Sequence, residues 1–202
     1  MADGLYHDGT TRFPSPAAME GPPPKQQQTP SGSEAVMKPR PVAVDKRHVG
    51  SGKLHNKVAL VSGGDSGIGR AVAVAFAREG CDVAICYRAH HEDAKETVEM
   101  VRGEGRNAIA IAGDASQQRF ADEAVDLTLR AFGKLDILVN HVGIQTVRES
   151  IRDITPKQLH ETFCTNVFSM FYFVQAALPH LERNGAIINS ASAPVFLHPP
   201  CR

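Results

Sequence analysis

The stretch that decides the fold reads Lys57-Val58-Ala59-Leu60-Val61-Ser62-Gly63-Gly64-Asp65-Ser66-Gly67-Ile68-Gly69, and it runs on into Arg70-Ala71-Val72-Ala73-Val74-Ala75-Phe76-Ala77. A short apolar strand feeds a glycine turn, and the turn opens an apolar helix. Gly63 permits a tight turn in backbone conformations closed to other residues. Gly67 and Gly69 let the backbone approach a pyrophosphate and let the helix pack close to the strand. The first N–H groups of the helix, with its dipole, then face the anion. A glycine triplet alone is weak evidence. A strand before it and a helix after it meet the context test for a dinucleotide fingerprint.

Outward from this turn, strands and helices alternate, which predicts an α/β fold with a doubly wound parallel sheet. Strands are expected over 57–62, 82–87, 107–112, 135–140 and 186–190. Their cores are short apolar runs such as Ile137-Leu138-Val139, as suits strands buried on both faces. Helices are expected over 68–79, 92–104, 117–132 and 156–182. Gly80, Gly105 and Gly133 follow three of them and suit helix stops. Pro156 fits the first turn of the last, with Thr155 as its cap.

Residues 1–50 are different. They hold eight of the thirteen prolines, with Pro22-Pro23-Pro24 and Gln26-Gln27-Gln28, and show no apolar periodicity. Such a segment buries too little surface to offset its ordering entropy. The division is therefore an extended Pro/Gln-rich arm over 1–50 and a nucleotide-binding domain over 51–202. Two readings of the arm stand: a passive solvated tail, or a strap over a neighbouring subunit.

Lysine plus arginine equal aspartate plus glutamate, 22 each, so no basic surplus exists to neutralise nucleic-acid phosphates. Cys81, Cys86, Cys164 and Cys201 show no metal spacing, and buried reduced thiols are the plainer reading. His90-His91-Glu92 reads as a helix start, and no metal is expected. The apolar run 163–181 contains Asn166, Gln175, Pro179 and His180, which are costly in lipid. The expected protein is soluble and cytoplasmic, with no membrane partner.

The spacing Gly63-x-x-x-Gly67-x-Gly69 resembles the short-chain dehydrogenase/reductase family, and later motifs agree in order. Asn140-His141-Val142-Gly143 stands where that family carries Asn-Asn-Ala-Gly. Asn166-Val167 resembles its helix asparagine, and Ile187-Ile188-Asn189-Ser190-Ala191-Ser192 resembles the strand that ends in its catalytic serine. The arm, with Val49-Gly50-Ser51-Gly52-Lys53-Leu54, looks like the glucose/ribitol-dehydrogenase-like branch. The resemblance implies a Rossmann-type sheet. It also implies hydride transfer between a nicotinamide cofactor and a small alcohol or carbonyl, with a sugar or polyol as the branch-level expectation.

For the cofactor, Gly63, Asp65, Ser66, Gly67, Ile68 and Gly69 form the expected phosphate turn. An acidic residue commonly ends the second strand where NAD is preferred. Here Tyr87 stands at that end and Arg88 follows. An arginine can pair with a 2′-phosphate through its planar fork, so NADP(H) is expected over NAD(H). The competing reading of Arg88 is a solvated loop cation. By resemblance Asp114 contacts the adenine ring; it also suits a helix cap. Asn140 and Gly143 lie near the cofactor in the same comparison, and His141 reads as structural.

The family's mechanism uses asparagine, serine, tyrosine and lysine. Asn166 and Ser192 match the first two. No tyrosine follows Tyr172 and no lysine follows Lys157, so the Tyr-x-x-x-Lys pair is not found. The expectation is a sheet incomplete after its fifth strand, an edge left unprotected and a chain without turnover of its own. A second reading is a non-catalytic nucleotide-binding remnant, or a subunit partner of a full-length enzyme. Intact relatives are expected to be homo-oligomers through the long helix; half of that interface is missing from this reading of the chain.

Overall fold

All five residues of the first strand, β1 (Val58–Ser62), are buried. They alternate between two cores. In the computed structural model, which describes residues 34–44, 47–148 and 150–191, Ala59 and Val61 face one apolar cluster and Leu60 faces another. A strand with helices on both faces has this pattern. Around β1 the chain builds α1 (Gly67–Arg78), β2 (Asp82–Tyr87), α2 (His91–Gly103), β3 (Ala108–Ala112), α3 (Gln118–Phe132) and β4 (Ile137–Asn140). After them come α4 (Pro156–Phe163), α5 (Ser169–Ala177) and β5 (Ala186–Asn189).

The strands pair in parallel in the order β3-β2-β1-β4-β5. Helices α1 and α2 cover one face, through Ala73, Val74, Ala94 and Val101. Helices α3 and α5 cover the other, through Phe120, Ala124, Val125 and Phe173. Phe120 and Phe173 meet edge to face at 6.3 Å, an arrangement aromatic quadrupoles favour. The order runs one way from β1 to β3 and the other way from β4 to β5. The switch therefore lies between β1 and β4, and open α/β sheets bind ligands at that crevice.

Helix ends follow local chemistry. Gly133 closes α3 in the left-handed region, φ +79°. The Thr155 hydroxyl accepts the Gln158 N–H at 3.1 Å and caps α4. One expectation needs correction: the helix over 156–182 is not uniform. Cys164–Phe168 forms a wider, π-type turn between α4 and α5, and a 3-10 turn at Leu178–His180 ends the run. Pro179 sits in that last turn, where its ring and missing N–H oppose a continued helix.

Segment 34–44 lies against this body. Glu34 is 7% exposed, and Val44 packs on the α1–α2 core. Next to it, Glu79 at the end of α1 holds the following loop. Its carboxylate accepts N–H bonds from Ser51 and Lys53 at 2.9 and 3.1 Å. Those bonds pull its pKa down to about 2.

Candidate functional site

The turn from β1 to α1 hangs on β2. The N–H groups of Gly63 and Gly64 both donate to the Cys86 carbonyl, at 2.9 and 3.1 Å. Gly63 has φ +70° and Gly67 φ +53°, values that strain other residues. Gly69 is small for a different reason: a Cβ there would sit 1.9 Å from the Gly63 carbonyl oxygen. The helix thus lies directly on the turn. Ser66 precedes α1 in extended backbone and makes no side-chain cap bond. Ile68, in the first turn of α1, is 67% exposed.

Asp65 contributes through its backbone. Its carbonyl accepts from Arg70 Nε and Nη2 at 3.1 and 2.9 Å, and from the Thr97 hydroxyl at 2.9 Å. Burial pushes its carboxyl pKa up.

The other wall of the crevice comes from the end of β4. Asn140 pairs in register with Ser62, is 1% exposed, and donates from Nδ2 to Asn189 Oδ1 at 2.9 Å. Asn140 Oδ1 is buried with no donor, so an acceptor remains for a group brought from outside. The Ser62 hydroxyl accepts the N–H groups of His141 and Val142 at 3.1 and 3.3 Å. This draws the chain over Gly63, whose Cβ, if present, would lie 3.0 Å from Val142 Cα. His141 Nδ1 and the Ser190 hydroxyl share a 2.9 Å hydrogen bond, and burial lowers the imidazole pKa. His141 is a neutral tie between the ends of β4 and β5.

Beyond it, Asn166 holds residue 144 by both backbone groups. Its Oδ1 accepts the Ile144 N–H at 2.7 Å, and its Nδ2 donates to the Ile144 carbonyl at 2.8 Å. Gly143 lies beside this pair, with the place of its Cβ 3.7 Å from Asn166 Oδ1. Asn166 sits in the π-type turn, a local widening that recurs at functional sites.

At the outer strands, the Tyr87 hydroxyl and His91 Nδ1 share a 2.8 Å bond. Arg88 is exposed, and its Nη2 lies 3.4 Å from Asp114 Oδ2. Asp114 Oδ1 accepts from the N–H and hydroxyl of Ser116, at 3.0 and 2.8 Å. Asp114 thus caps its own turn and faces Arg88 at once.

The sequence-expected residues fall into two groups. Gly63, Asp65, Ser66, Gly67, Ile68 and Gly69 form the turn from β1 into α1, Asn140 ends β4 beside Ser62, and Gly143 and Asn166 meet in the segment after it. Tyr87, Arg88 and Asp114 stand at the ends of β2 and β3. Ser192 lies outside the described residues. Ser62 and Arg70 escaped notice as positioning groups; their only signal was a polar residue at a strand end and an arginine on an otherwise apolar helix face. Among the described residues no group of three or more His, Cys, Asp or Glu is placed to hold a metal, and no helix is long and apolar enough to cross a membrane. Burial raises the pKa of Cys81 to about 12 and pushes Cys86 up as well, which disfavours the thiolate form of both.

A glycine turn after β1, a parallel sheet whose order reverses between β1 and β4, and a buried Asn140–Asn189 pair joining the ends of β4 and β5 define an α/β domain of the dinucleotide-binding type. Residues 57–200 match the family model described as short chain dehydrogenase, and the chain belongs to that family. It is 48% identical over 178 residues to General stress protein 39 of Bacillus subtilis (strain 168), covering 88% of this chain and 62% of that protein. It is 39% identical over 176 residues to the glucose and ribitol dehydrogenase of Daucus carota, covering 84% of this chain and 60% of that one. A short chain dehydrogenase from Burkholderia cenocepacia J2315, solved in complex with NADP, superposes with a TM-score of 0.66 at 41% identity, over 68% of this chain and 56% of that one. The chain spans about three fifths of the length of the curated relatives it matches.

Proposed function

We propose that residues 51–202 form the nucleotide-binding part of a short-chain dehydrogenase-type oxidoreductase that takes NADP(H) in preference to NAD(H). The reading is carried by one observation: the glycine turn after β1 and Asn140, whose buried Oδ1 has no donor, stand side by side at the ends of β1 and β4, the sheet's switch point. The turn suits a pyrophosphate because the α1 dipole and the first-turn N–H groups other than that of Gly67, which the Glu34 carboxylate takes, favour an anion there. Asn140 Oδ1 suits a ribose hydroxyl, a donor that would end its isolation. Arg88, exposed beyond β2, suits a 2′-phosphate; its contact with Asp114 is loose and gives way to a doubly charged group. The NADP complex of the Burkholderia cenocepacia relative supports binding of a dinucleotide of this class.

When bound, the cofactor supplies or accepts a hydride at its nicotinamide ring. The chain's part is to hold and orient. Asn166 fixes the loop at Gly143 and Ile144 against which a substrate end of the site would be built. Ser192 is assigned the hydroxyl that orients a substrate oxygen. An alcohol or carbonyl is the proposed substrate class, with a sugar or polyol suggested by the likeness to glucose and ribitol dehydrogenase. We place the protein in the cytoplasm. Residues 1–202 carry two of the four groups that the resemblance calls for, so for these residues alone the reading is binding without turnover. The second reading, a subunit partner, is favoured by the apolar exposure of Phe171 at 63% and Leu178 at 60% on α5 and the turn after it.

Titration with NADPH and NADH, followed by nucleotide fluorescence, tests this. NADPH is expected to bind about tenfold more tightly, and Arg88→Ala to erase the difference. Tighter NADH binding, or an unchanged ratio in Arg88→Ala, overturns the cofactor assignment. Turnover of a sugar or aldehyde by these residues overturns the non-catalytic reading.

A further inference from the structure

The turn over residues 63–67 is held on two sides, and only one belongs to the sheet. Cys86 holds Gly63 and Gly64 from β2. The opposite hold comes from the N-terminal arm. The Glu34 carboxylate accepts the Gly67 N–H, and its second oxygen pairs with Arg70 Nη1 at 2.7 Å. Arg70 is 3% exposed. It also binds the Asp65 carbonyl, the Thr97 hydroxyl at 3.0 Å, the Asp93 carbonyl at 3.0 Å and Glu96 Oε2 at 3.0 Å. Arg40 completes the chain, with its Nη2 2.5 Å from Glu96 Oε2. Two arm residues thus grip one buried arginine network that supports the turn.

We propose that Glu34 is a positioning residue of the cofactor site: by bonding Gly67 and Arg70 it holds the phosphate turn in its binding shape, so arm docking and dinucleotide binding favour each other. The inference rests on the reading of this turn as the dinucleotide site. The physical ground is preorganisation. Gly67 lies in the left-handed region, where glycine is otherwise freest and loses most entropy on ordering. A bond already made to Gly67 moves that ordering cost from binding to folding. Arg70, which also pairs with Asp93 and Glu96, offsets part of the Glu34 charge. A buried arginine that loses one carboxylate also holds Asp65 less firmly, and Asp65 is part of the turn.

Linkage makes the test two-sided, because coupling between two sites is reciprocal. In the full chain, amide exchange of residues 34–40 is followed with and without NADPH. NADPH is expected to slow it, and Glu34→Ala to weaken NADPH binding about tenfold, a usual size for coupled sites. Glu34→Gln keeps an acceptor for the Gly67 N–H and falls between wild type and alanine. A merely structural glutamate would lower the melting temperature without making arm exchange respond to nucleotide. Faster arm exchange on adding NADPH would mean that the carboxylate competes with phosphate, and it overturns the proposal. So does equal affinity of wild type and Glu34→Ala with exchange unchanged. If the variants fail to fold, the wild-type exchange result decides alone. If wild type binds neither NADPH nor NADH, the dinucleotide reading itself falls, a result distinct from binding without coupling.

Discussion

Strands β1 and β5 read almost alike, Val-Ala-Leu-Val-Ser against Ala-Ile-Ile-Asn, yet they live in different surroundings. Every residue of β1 is buried, whereas in β5 only Ile187 escapes the exposed class. The difference is not propensity. β1 has β2 and β4 on its two sides and helices over both faces; among the described residues β5 pairs with β4 alone. The same contrast holds between α1, with five buried residues, and α4, with none. Half of this molecule closes its own core, and the other half presents apolar faces. A strand's sequence states what it can bury; its neighbours decide what it does bury.

The largest test of that contrast is a pair of truncations. Leu60→Ala in β1 removes a fully buried side chain and is expected to cost about 3 kcal/mol, while Ile188→Ala in β5, at 44% exposure, costs about 1 kcal/mol or less. Urea unfolding measures both. Equal costs would mean that β5 is as well covered as β1 and would end the comparison.

Glycines sharpen it at the cofactor turn. Gly69→Ala drives a methyl into the Gly63 carbonyl and is expected to destabilise by about 2 kcal/mol and to abolish detectable NADPH binding. Gly103→Ala, at the end of α2 with nothing within 4 Å of the added atom, is expected to stabilise by about 0.5 kcal/mol. Thermal melts with and without nucleotide separate the two. A smaller effect is expected at Thr155. Thr155→Ala removes the α4 cap, worth about 1 kcal/mol to a helix. Because α4 buries nothing, that loss should appear as faster amide exchange within α4 and leave global unfolding nearly unchanged.

Much of this was legible beforehand. Most element bounds agree within two residues of the expected ones, because two-faced strands and Gly80, Gly105 and Gly133 mark them strongly. The roles of Gly63 and Gly69 were legible because they are steric, and steric needs leave few residue choices. The break at Cys164–Phe168 was not legible, since a shift to wider backbone bonding changes no residue pattern. Glu34 was hidden for another reason. It sits in a proline-rich, polar stretch, and its partners Gly67 and Arg70 are remote in sequence. Local composition cannot report a contact that only the fold creates.

The same unevenness sets how acid should dismantle the molecule. The carboxylates whose pKa values are lowered, Glu79, Glu104 and Asp136, all brace the β1–β4 part. Glu79 falls to about 2 because it accepts the Lys53 and Ser51 N–H groups. For Asp136, burial works against ionisation, but bonds from Lys57, Val58 and Lys134 outweigh it. A carboxylate with a depressed folded pKa adds stability that is present above its unfolded value near 4.5 and lost as pH falls through the folded value. Stability should therefore decline from about pH 5 toward pH 2, with the loop over 48–53 held until Glu79 is protonated at the acid end of that range. Glu79→Gln should flatten this limb and lower stability at neutral pH by a small amount. Amide exchange at Ser51 and Lys53 across the acid range checks it. An acid limb as steep in Glu79→Gln as in wild type would show that the other carboxylates carry the acid sensitivity.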